Sequence, residues 1–149
     1  MPAPRRMMAA DIPAAHSIFA ESPEAAAWSR ESLSETMNNG LGWIMEVEGA
    51  IAGILIGRVA ADEFEILNLA VEKAHRRHGV ATKLVRAALE QARTAGARKA
   101  YLEVRASNEG GIAFYARLGF CKEGRRPHYY RDPAEDAVLL VLHNFGTNV

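Results

Sequence analysis

The sequence predicts an α+β (mixed α/β) fold in which helices cover a central, mostly antiparallel twisted sheet. Three short strand patterns follow one another between residues 43 and 71 and are joined by very short turns. Connections this short allow antiparallel pairing but no crossover. A long amphipathic helix pattern follows, and then an alternation of strand, helix and strand, which is typical of helices layered on a sheet.

The composition narrows the class of protein. The chain has 149 residues, of which 49% are hydrophobic and 24% charged, so we expect a single globular domain over residues 1–149. Lys plus Arg and Asp plus Glu number 18 each, without the basic excess typical of nucleic-acid binders. No apolar run is long enough to span a bilayer. Cys121 is the one cysteine, which favours a cytoplasmic protein. From the charge balance and the short apolar runs we also expect a protein that binds neither nucleic acid nor membrane.

The N-terminal segment predicts a short strand and two helices. The strand is expected near residues 5–8. Asp11 is interpreted as the N-cap of the first helix, which Ser22-Pro23 should end. Ser29 is expected to cap a second short helix, which ends at Asn38-Asn39-Gly40.

A β-meander is predicted next, because strand patterns alternate with turn signals. The strands are expected at residues 43–47, 51–59 and 64–71. Glu48-Gly49 and residues 61–63 are the turns between them.

The C-terminal half predicts two more helices and two more strands. Apolar residues recur at helical spacing in the first helix and form nearly continuous runs in the strands. The elements are, in order, a basic loop at 72–78, a helix from Gly79 to Gly96, a strand at 99–104, a helix capped by Ser107 or Asn108 and stopped by Gly119, a long loop, and a strand at 137–142.

The segment 76–82 joins a strand end to the first turn of the long helix. The first turn of a helix carries unpaired N–H groups and the positive end of the helix dipole, which together form an anion site. Gly79 and Ala81 keep the main chain accessible, and Arg76 and Arg77 add positive charge. These features predict a pyrophosphate site, although neither G-x-x-x-x-G-K-[ST] nor G-x-G-x-x-G is present. On spacing alone, a solvated basic loop remains an equal alternative.

Two residues are candidates for acid–base chemistry. Glu103 stands inside an apolar strand pattern, where a carboxylate is costly unless it has a partner or a task. The alternative is an outward-facing residue of an alternating strand, which periodicity alone favours. Tyr115 is either a functional residue or an aromatic on the core face of its helix. Asn108 is a candidate N-cap of that helix.

Several stretches resemble a known family. Arg76-x-x-Gly79-x-Ala81 is similar to the acetyl-CoA signature [QR]-x-x-G-x-[GA] of the GNAT N-acetyltransferase superfamily, and it lies between a strand and a helix as expected. The string L-E-V-R-A-S-N at 102–108, Tyr129-Tyr130 and Glu135-Asp136-Ala137 resemble the bacterial ribosomal-protein alanine N-acetyltransferases (RimI) of that superfamily. The resemblance spans most of the chain. One departure is Ala27, where those sequences often carry proline.

The resemblance implies acetyl-CoA as the co-substrate. In the family, backbone N–H groups of the signature loop hold the pyrophosphate of coenzyme A. The preceding strand end offers main-chain bonds to the pantetheine arm. The residues that this assigns to acetyl-CoA are Leu69, Ala70, Val71, Arg76, Arg77, His78, Gly79, Val80, Ala81, Thr82 and Asn108.

The resemblance also implies catalytic roles for Glu103 and Tyr115. An α-amine has a pKa of about 8. Its ammonium form has no lone pair, so a general base must remove a proton before or during attack on the thioester. Glu103 is expected to take that proton through a water, and Tyr115 to donate one to the leaving thiolate. Backbone N–H groups near residues 69–71 would polarise the carbonyl. Transfer is expected to be direct, with no acyl-enzyme.

The implied acceptor is the free α-amine of a protein N-terminus, chiefly Ala or Ser, in a small-subunit ribosomal protein. Trp28 and the loop that carries Tyr129 and Tyr130 are expected to bind it. Two alternatives stay open: acetyl transfer to a small-molecule amine, and a non-catalytic acetyl-CoA-binding module. The presence of Glu103 and Tyr115 argues against the second alternative.

The remaining signals are interpreted as structural. The five histidines show no metal-binding spacing, so we expect no metal site, and His75 and His78 are expected to line the phosphate site. Cys121 has no paired histidine and follows Gly119-Phe120, where a strand should start, so it is expected to be a packed thiol rather than a nucleophile. Arg125-Arg126 is interpreted as a solvated basic turn rather than a nucleic-acid contact, and a contact to a protein substrate is its other open interpretation.

Overall fold

The computed structural model describes residues 3–22, 28–39 and 41–145. Two short 3₁₀ turns, Ala9–Asp11 and Lys73–His75, precede the first and third helices. The strands and helices are, in chain order, β1 (Arg5–Arg6), α1 (Ile12–Ala20), α2 (Arg30–Asn39), β2 (Leu41–Val47), β3 (Ala50–Ala60), β4 (Glu63–Val71), α3 (Val80–Thr94), β5 (Lys99–Arg105), α4 (Glu109–Arg117), β6 (Cys121–Tyr130) and β7 (Glu135–Leu142).

Within the described part of the chain, the strands form one seven-stranded sheet in the order β1-β2-β3-β4-β5-β7-β6. β2, β3 and β4 form the predicted antiparallel meander, and β7 pairs antiparallel with both β5 and β6. β4 and β5 pair in parallel. The predicted fold class is therefore confirmed: the sheet is mixed and mostly antiparallel, with helices on its faces.

The parallel pair β4–β5 opens partway along its length. Its ladder joins residues 63–65 to residues 99–101. Beyond this ladder β4 remains paired with β3 as far as Val71, and β5 remains paired with β7 as far as Arg105. The two strands therefore diverge, and a gap forms near the middle of the sheet.

A β-bulge on β4 changes which side chains face each layer. The pairing with β3 skips Leu67, which is the extra residue. Ile66 packs in the apolar cluster that contains α3 and α4, whereas Ala70 packs in the cluster that contains α1 and α2. Regular alternation would place both on the same face. Because of the bulge, Leu69 packs towards the α3 side at the gap.

Close packing on β3 fixes the position of α3. A Cβ atom at Gly53 would lie 2.7 Å from Cγ1 of Val80 and 2.9 Å from Cδ1 of Leu84. The absence of a side chain at this position therefore lets the first turns of α3 lie directly on the strand. The residues that α3 buries are Val80, Leu84, Val85, Ala88 and Ala92.

The strand expected to start after Gly119-Phe120 is β6, an edge strand, and it extends through the segment predicted as a long loop and a basic turn. Most of its side chains are exposed, so no apolar alternation reveals its length in the sequence. It becomes a strand because it pairs with the apolar strand β7. The prediction of a packed thiol at Cys121 is also wrong, because this residue opens the edge strand and is exposed.

Asp11 is the N-cap residue of α1, as predicted, but its side chain makes no capping hydrogen bond to that helix. Its carboxylate instead accepts two hydrogen bonds from the guanidinium of Arg5, each 2.9 Å long. It also accepts one from the N–H of Met8 at 2.7 Å. A bidentate arginine partner outcompetes the helix end for this carboxylate.

The predicted cap of α2 is confirmed. The hydroxyl of Ser29 accepts a hydrogen bond from the N–H of Ser32 at 3.1 Å. The helix ends proposed at Pro23 and Gly40, and the departure at Ala27, lie outside the described residues. Among the helices that the structure describes, none combines the length and the apolar character needed to cross a bilayer.

Candidate active site

A cavity of about 1040 Å³ lies where β4 and β5 separate. It is bounded by the diverging strand ends, the first turn of α3 and the helix α4. Its volume is at the upper end of the range usual for small-molecule sites, roughly 300–1,000 Å³. The sequence-predicted site residues that line it are Leu69, Ala70, Val71, Arg76, Arg77, Gly79, Val80, Ala81, Thr82, Glu103, Asn108, Tyr115 and Tyr130.

The first turn of α3 presents an anion site to the cavity. Gly79, its N-cap, has a φ of 82°, which glycine adopts without strain. No side chain of the described residues caps this helix, and the N–H of Lys83 closes the first turn on the carbonyl of Gly79 at 3.1 Å. The N–H groups of Val80, Ala81 and Thr82 therefore have no acceptor within the helix and mark its positive end.

The loop before α3 adds positive charge on one side of the cavity. Arg76, Arg77 and His75 line the cavity, while His78 is exposed and lies outside the lining. The Nε atom of Arg76 donates a hydrogen bond to the carbonyl of Val71 at 3.1 Å. This bond fastens the loop to the end of β4 and keeps its charge beside the helix terminus.

Asn68 is a buried polar residue that sequence reasoning did not assign to the site. It is 7% exposed and lines the cavity directly after the bulge on β4. Its Oδ1 atom accepts a hydrogen bond from the N–H of Leu69 at 3.1 Å. A polar residue inside an apolar strand pattern is the signal that could have identified it.

Glu103 lines the cavity from β5, with 10% of its side chain exposed. Burial raises the pKa of its carboxyl group, the guanidinium of Arg126 lowers it, and Glu65 raises it. The Nε atom of Arg126 lies 3.0 Å from Oε2 of Glu103. This oxygen is buried and accepts no directed hydrogen bond from the described residues, so the two groups form an ion pair by proximity alone.

Tyr115 lines the same cavity from α4 and is almost fully buried. Its ring packs edge-on against Phe114 and Phe120, with centroids 4.9 and 5.3 Å away. Burial raises the pKa of its hydroxyl, which is therefore protonated at neutral pH and can donate a proton. Tyr115 therefore packs in the core, as considered from the sequence, and it also lines the cavity.

Asn108 has two roles, as a helix cap and as part of the cavity wall. Its Oδ1 atom accepts a hydrogen bond from the N–H of Gly111 at 2.9 Å, which caps α4. The residue also lines the cavity. Of the two caps considered from the sequence, Asn108 rather than Ser107 takes the role.

Tyr130 lines the cavity on the β6 side and has a fixed ring. The guanidinium of Arg105 lies 4.5 Å from its ring centroid. Arg105 also donates hydrogen bonds to the carbonyls of Arg131 and Pro133, at 3.1 and 3.0 Å. Burial, followed by the neighbouring Tyr129, raises the pKa of Tyr130 to about 12.

The other two predicted acceptor residues lie away from the cavity lining. Tyr129 is 48% exposed, and its ring packs edge-on against Tyr130 with a centroid separation of 5.0 Å. Trp28 packs beside Phe19, with centroids 6.4 Å apart. Neither belongs to the residues that line the cavity.

Two carboxylates shape the β6–β7 end of the site. The carboxylate of Asp136 accepts hydrogen bonds from Arg125 at 2.7 Å and from the N–H of His128 at 3.0 Å. Glu135 accepts one from the N–H of Ser107 at 2.6 Å. The Glu-Asp-Ala stretch that contributed to the family resemblance therefore fixes the irregular end of β6 that carries the paired tyrosines.

No three His, Cys, Asp or Glu side chains in the part of the chain that the structure describes are grouped closely enough to hold a metal ion.

Comparison with known proteins identifies close relatives over most of the chain. Residues 9–120 match the acetyltransferase (GNAT) family. The [ribosomal protein bS18]-alanine N-acetyltransferase of Escherichia coli (strain K12) is 32% identical over 135 residues, which cover 89% of this chain and 90% of that protein. The protein of the same name from Salmonella typhimurium is 31% identical over 135 residues, with 89% and 90% covered.

A solved structure agrees with the sequence comparison. The crystal structure of the ribosomal-protein-S18-alanine N-acetyltransferase from Escherichia coli superposes on this chain with a TM-score of 0.87 at 30% identity. The superposition covers 97% of this chain and 94% of that one. The superposition therefore extends beyond residues 9–120 to β6 and β7.

Proposed function

The chain belongs to the acetyltransferase (GNAT) family, and from this membership we propose that it transfers the acetyl group of acetyl-CoA to the N-terminal α-amine of a protein. The acceptor that we propose is the N-terminal alanine of a small-subunit ribosomal protein. The relatives from Escherichia coli and Salmonella typhimurium support this acceptor, since both are ribosomal protein bS18-alanine N-acetyltransferases by name.

The observation that carries the proposal is the convergence of three groups on one cavity. Glu103 and Tyr115 line it, and the uncapped first turn of α3 opens on it. Acetyl transfer from a thioester to an ammonium group needs a base for the nitrogen and an acid for the sulfur. It also needs an anion site for the phosphates of the coenzyme.

The residues at the cavity fit acetyl-CoA, which supplies the activated acetyl thioester when bound. The N–H groups of residues 80–82 would hold its diphosphate, with Arg76 and Arg77 balancing the charge. The end of β4, residues 69–71, lines the gap where β5 no longer pairs with it. Its main-chain groups are therefore available to the pantetheine arm.

The proton transfers are assigned to Glu103 and Tyr115. The ionised carboxylate of Glu103 takes a proton from the α-ammonium group, through a water, and frees the nitrogen lone pair. As the C–N bond forms and the C–S bond breaks, the hydroxyl of Tyr115 donates its proton to the sulfur. The nitrogen then loses its second proton, which returns through water to the phenolate of Tyr115, and Glu103 releases its own proton to solvent, so that a neutral amide and a neutral thiol result.

The proposed acceptor binds beside Tyr130. This ring lines the cavity and is held by the guanidinium of Arg105 at 4.5 Å. A rigid aromatic side chain orients a ligand at low cost in conformational entropy. We propose that it positions the first residue of the acceptor chain so that the α-amine reaches Glu103.

Mass spectrometry of two peptides incubated with the protein and acetyl-CoA tests the proposal. One peptide begins with a free alanine and has the N-terminal sequence of a small-subunit ribosomal protein. The other has a blocked N-terminus and an internal lysine. We expect a single acetyl group on the first peptide alone. Acetylation of the lysine peptide, or of neither peptide by a protein that binds acetyl-CoA, would contradict the proposed acceptor.

A further inference from the structure

The carboxylate proposed as the base already has a cationic neighbour. The Nε atom of Arg126 lies 3.0 Å from Oε2 of Glu103, although 62% of the arginine side chain is exposed and only 10% of the glutamate side chain. The other charged residue that affects this carboxyl group is Glu65 on β4. The residue paired with Glu103 on β7 is the apolar Leu139. The cation that pairs with this carboxylate therefore lies on the edge strand β6, whereas Arg105 on β5 lines the cavity itself.

An ammonium group that gives its proton to Glu103 through a water must come close to the same carboxylate. Two cations near one buried carboxylate repel each other, so the acceptor and Arg126 compete for the charge of Glu103. We propose that Arg126 is a positioning residue that balances the charge of Glu103 in the unliganded protein and moves away when the ammonium group of the acceptor binds. This inference rests on the proposed function of Glu103 as the base.

The surroundings of Arg126 support a reversible contact. Its guanidinium also lies 5.6 Å from the ring centroid of Tyr129, which is itself exposed. The aromatic face can retain the cation after the carboxylate is taken by the acceptor. The pair with Glu103 is not a directed hydrogen bond, since Oε2 accepts none from the described residues. Loss of this contact therefore costs little.

The adjacent residue Arg125 provides a matched control. It carries the same charge on the same strand and is 51% exposed, but it pairs with Asp136 at 2.7 Å instead of with Glu103. A change in the overall charge of β6 would affect both arginines equally. A competition for the acceptor position would affect Arg126 alone.

Steady-state kinetics of the whole protein test the competition. With Arg126→Gln, the KM for the acceptor peptide should fall by about two- to fivefold, the size expected for an exposed ion pair, while the KM for acetyl-CoA stays constant. Arg126→Lys should restore the wild-type acceptor KM, and Arg125→Gln should not lower the acceptor KM. An acceptor KM that is unchanged or raised by Arg126→Gln would overturn the proposal.

Nuclear magnetic resonance of the arginine Nε–H groups, without acetyl-CoA and therefore without turnover, separates this inference from the proposed function. Arg126→Gln assigns the signal of Arg126. We expect that signal to shift in Glu103→Gln and on addition of the acceptor peptide. A signal that moves in neither case would overturn the resting contact. If Glu103→Gln kept full activity and the Arg126 signal still shifted, the catalytic role of Glu103 would be contradicted. The acceptor KM of Arg126→Gln would in that case still decide the competition between Arg126 and the acceptor.

Discussion

The Nε atom of Arg76 donates a hydrogen bond to the main-chain carbonyl of Val71 at 3.1 Å, and so closes the loop that joins β4 to α3. The first position of the family signature accepts Arg or Gln, and both side chains can donate to a carbonyl. The residue thus has a structural task in addition to its charge.

The effect of replacing Arg76 should therefore depend on whether the new side chain can still donate a hydrogen bond. With Arg76→Ala we expect the Kd for acetyl-CoA to rise about fivefold, because a net hydrogen bond contributes about 1 kcal/mol. Arg76→Gln should lie closer to the wild-type value. Isothermal titration calorimetry measures both constants. Equal affinities for the alanine variant and the wild-type protein would show that the bond does not organise the loop.

A substitution at Gly79 provides a second test of how the loop before α3 is organised. Its φ of 82° is left-handed, and a Cβ atom there would meet nothing within 4 Å, so the strain of Gly79→Ala is purely conformational. We expect a loss of about 1 kcal/mol in the free energy of unfolding, together with weaker acetyl-CoA binding. Gly110 also has open space but no left-handed φ, and Gly110→Ala in α4 should stabilise the protein. Chemical denaturation of the two variants checks these opposite signs.

The pH dependence of kcat/KM should reflect the environment of Glu103. The carboxyl group must be ionised to accept a proton, so activity falls as the pH falls through its pKa. Burial raises that pKa, so the acidic limb should lie above the ordinary glutamate value, about 4.3. Arg126 lowers the pKa, and Glu65 and Tyr130 are the other titratable groups that interact with this carboxyl group. Arg126→Gln should therefore move the limb to higher pH, and a limb that stays in place would contradict this assignment.

Tyr130 and Tyr129 should differ in their effect on the acceptor. Tyr130 lines the cavity, whereas Tyr129 is 48% exposed and lies outside the lining. Tyr130→Ala should raise the KM for the acceptor peptide several-fold more than the KM for acetyl-CoA, and Tyr129→Ala should change it less. Tyr130→Phe separates the ring from the hydroxyl group. If Tyr130→Ala raised both KM values equally, Tyr130 would not be an acceptor contact.

Much of the fold could be predicted from sequence because local chemistry and tertiary packing agree there. The meander, the amphipathic α3 and the caps at Ser29 and Asn108 each follow from patterns of a few residues. The start of β6 after Phe120 could be predicted, but its extent to Tyr130 could not. Its residues are polar and exposed on both faces, and it is a strand because of its partner β7 rather than its own pattern.

The site shows the same division between local and long-range effects. The signature loop and the unusual carboxylate Glu103 are visible as residue types in the chain. The gap between β4 and β5 and the bulge at Leu67 beside it depend on strand pairing, which no periodic pattern reveals. The pair between Glu103 and Arg126 joins residues 23 positions apart on strands that are not adjacent, so spacing in the sequence could not indicate it.

The most direct test of the account is the kcat of Glu103→Gln, measured beside its Kd for acetyl-CoA. The amide cannot accept a proton, so kcat should fall by about 10²–10⁴-fold. The Kd should stay within about twofold, because Glu103 is not among the groups that hold the coenzyme. The Tm should not fall, since burial raises the pKa of this carboxyl and the ionised form is the one that the folded state disfavours at neutral pH. A wild-type kcat with intact acetyl-CoA binding would remove Glu103 from the mechanism and contradict the account.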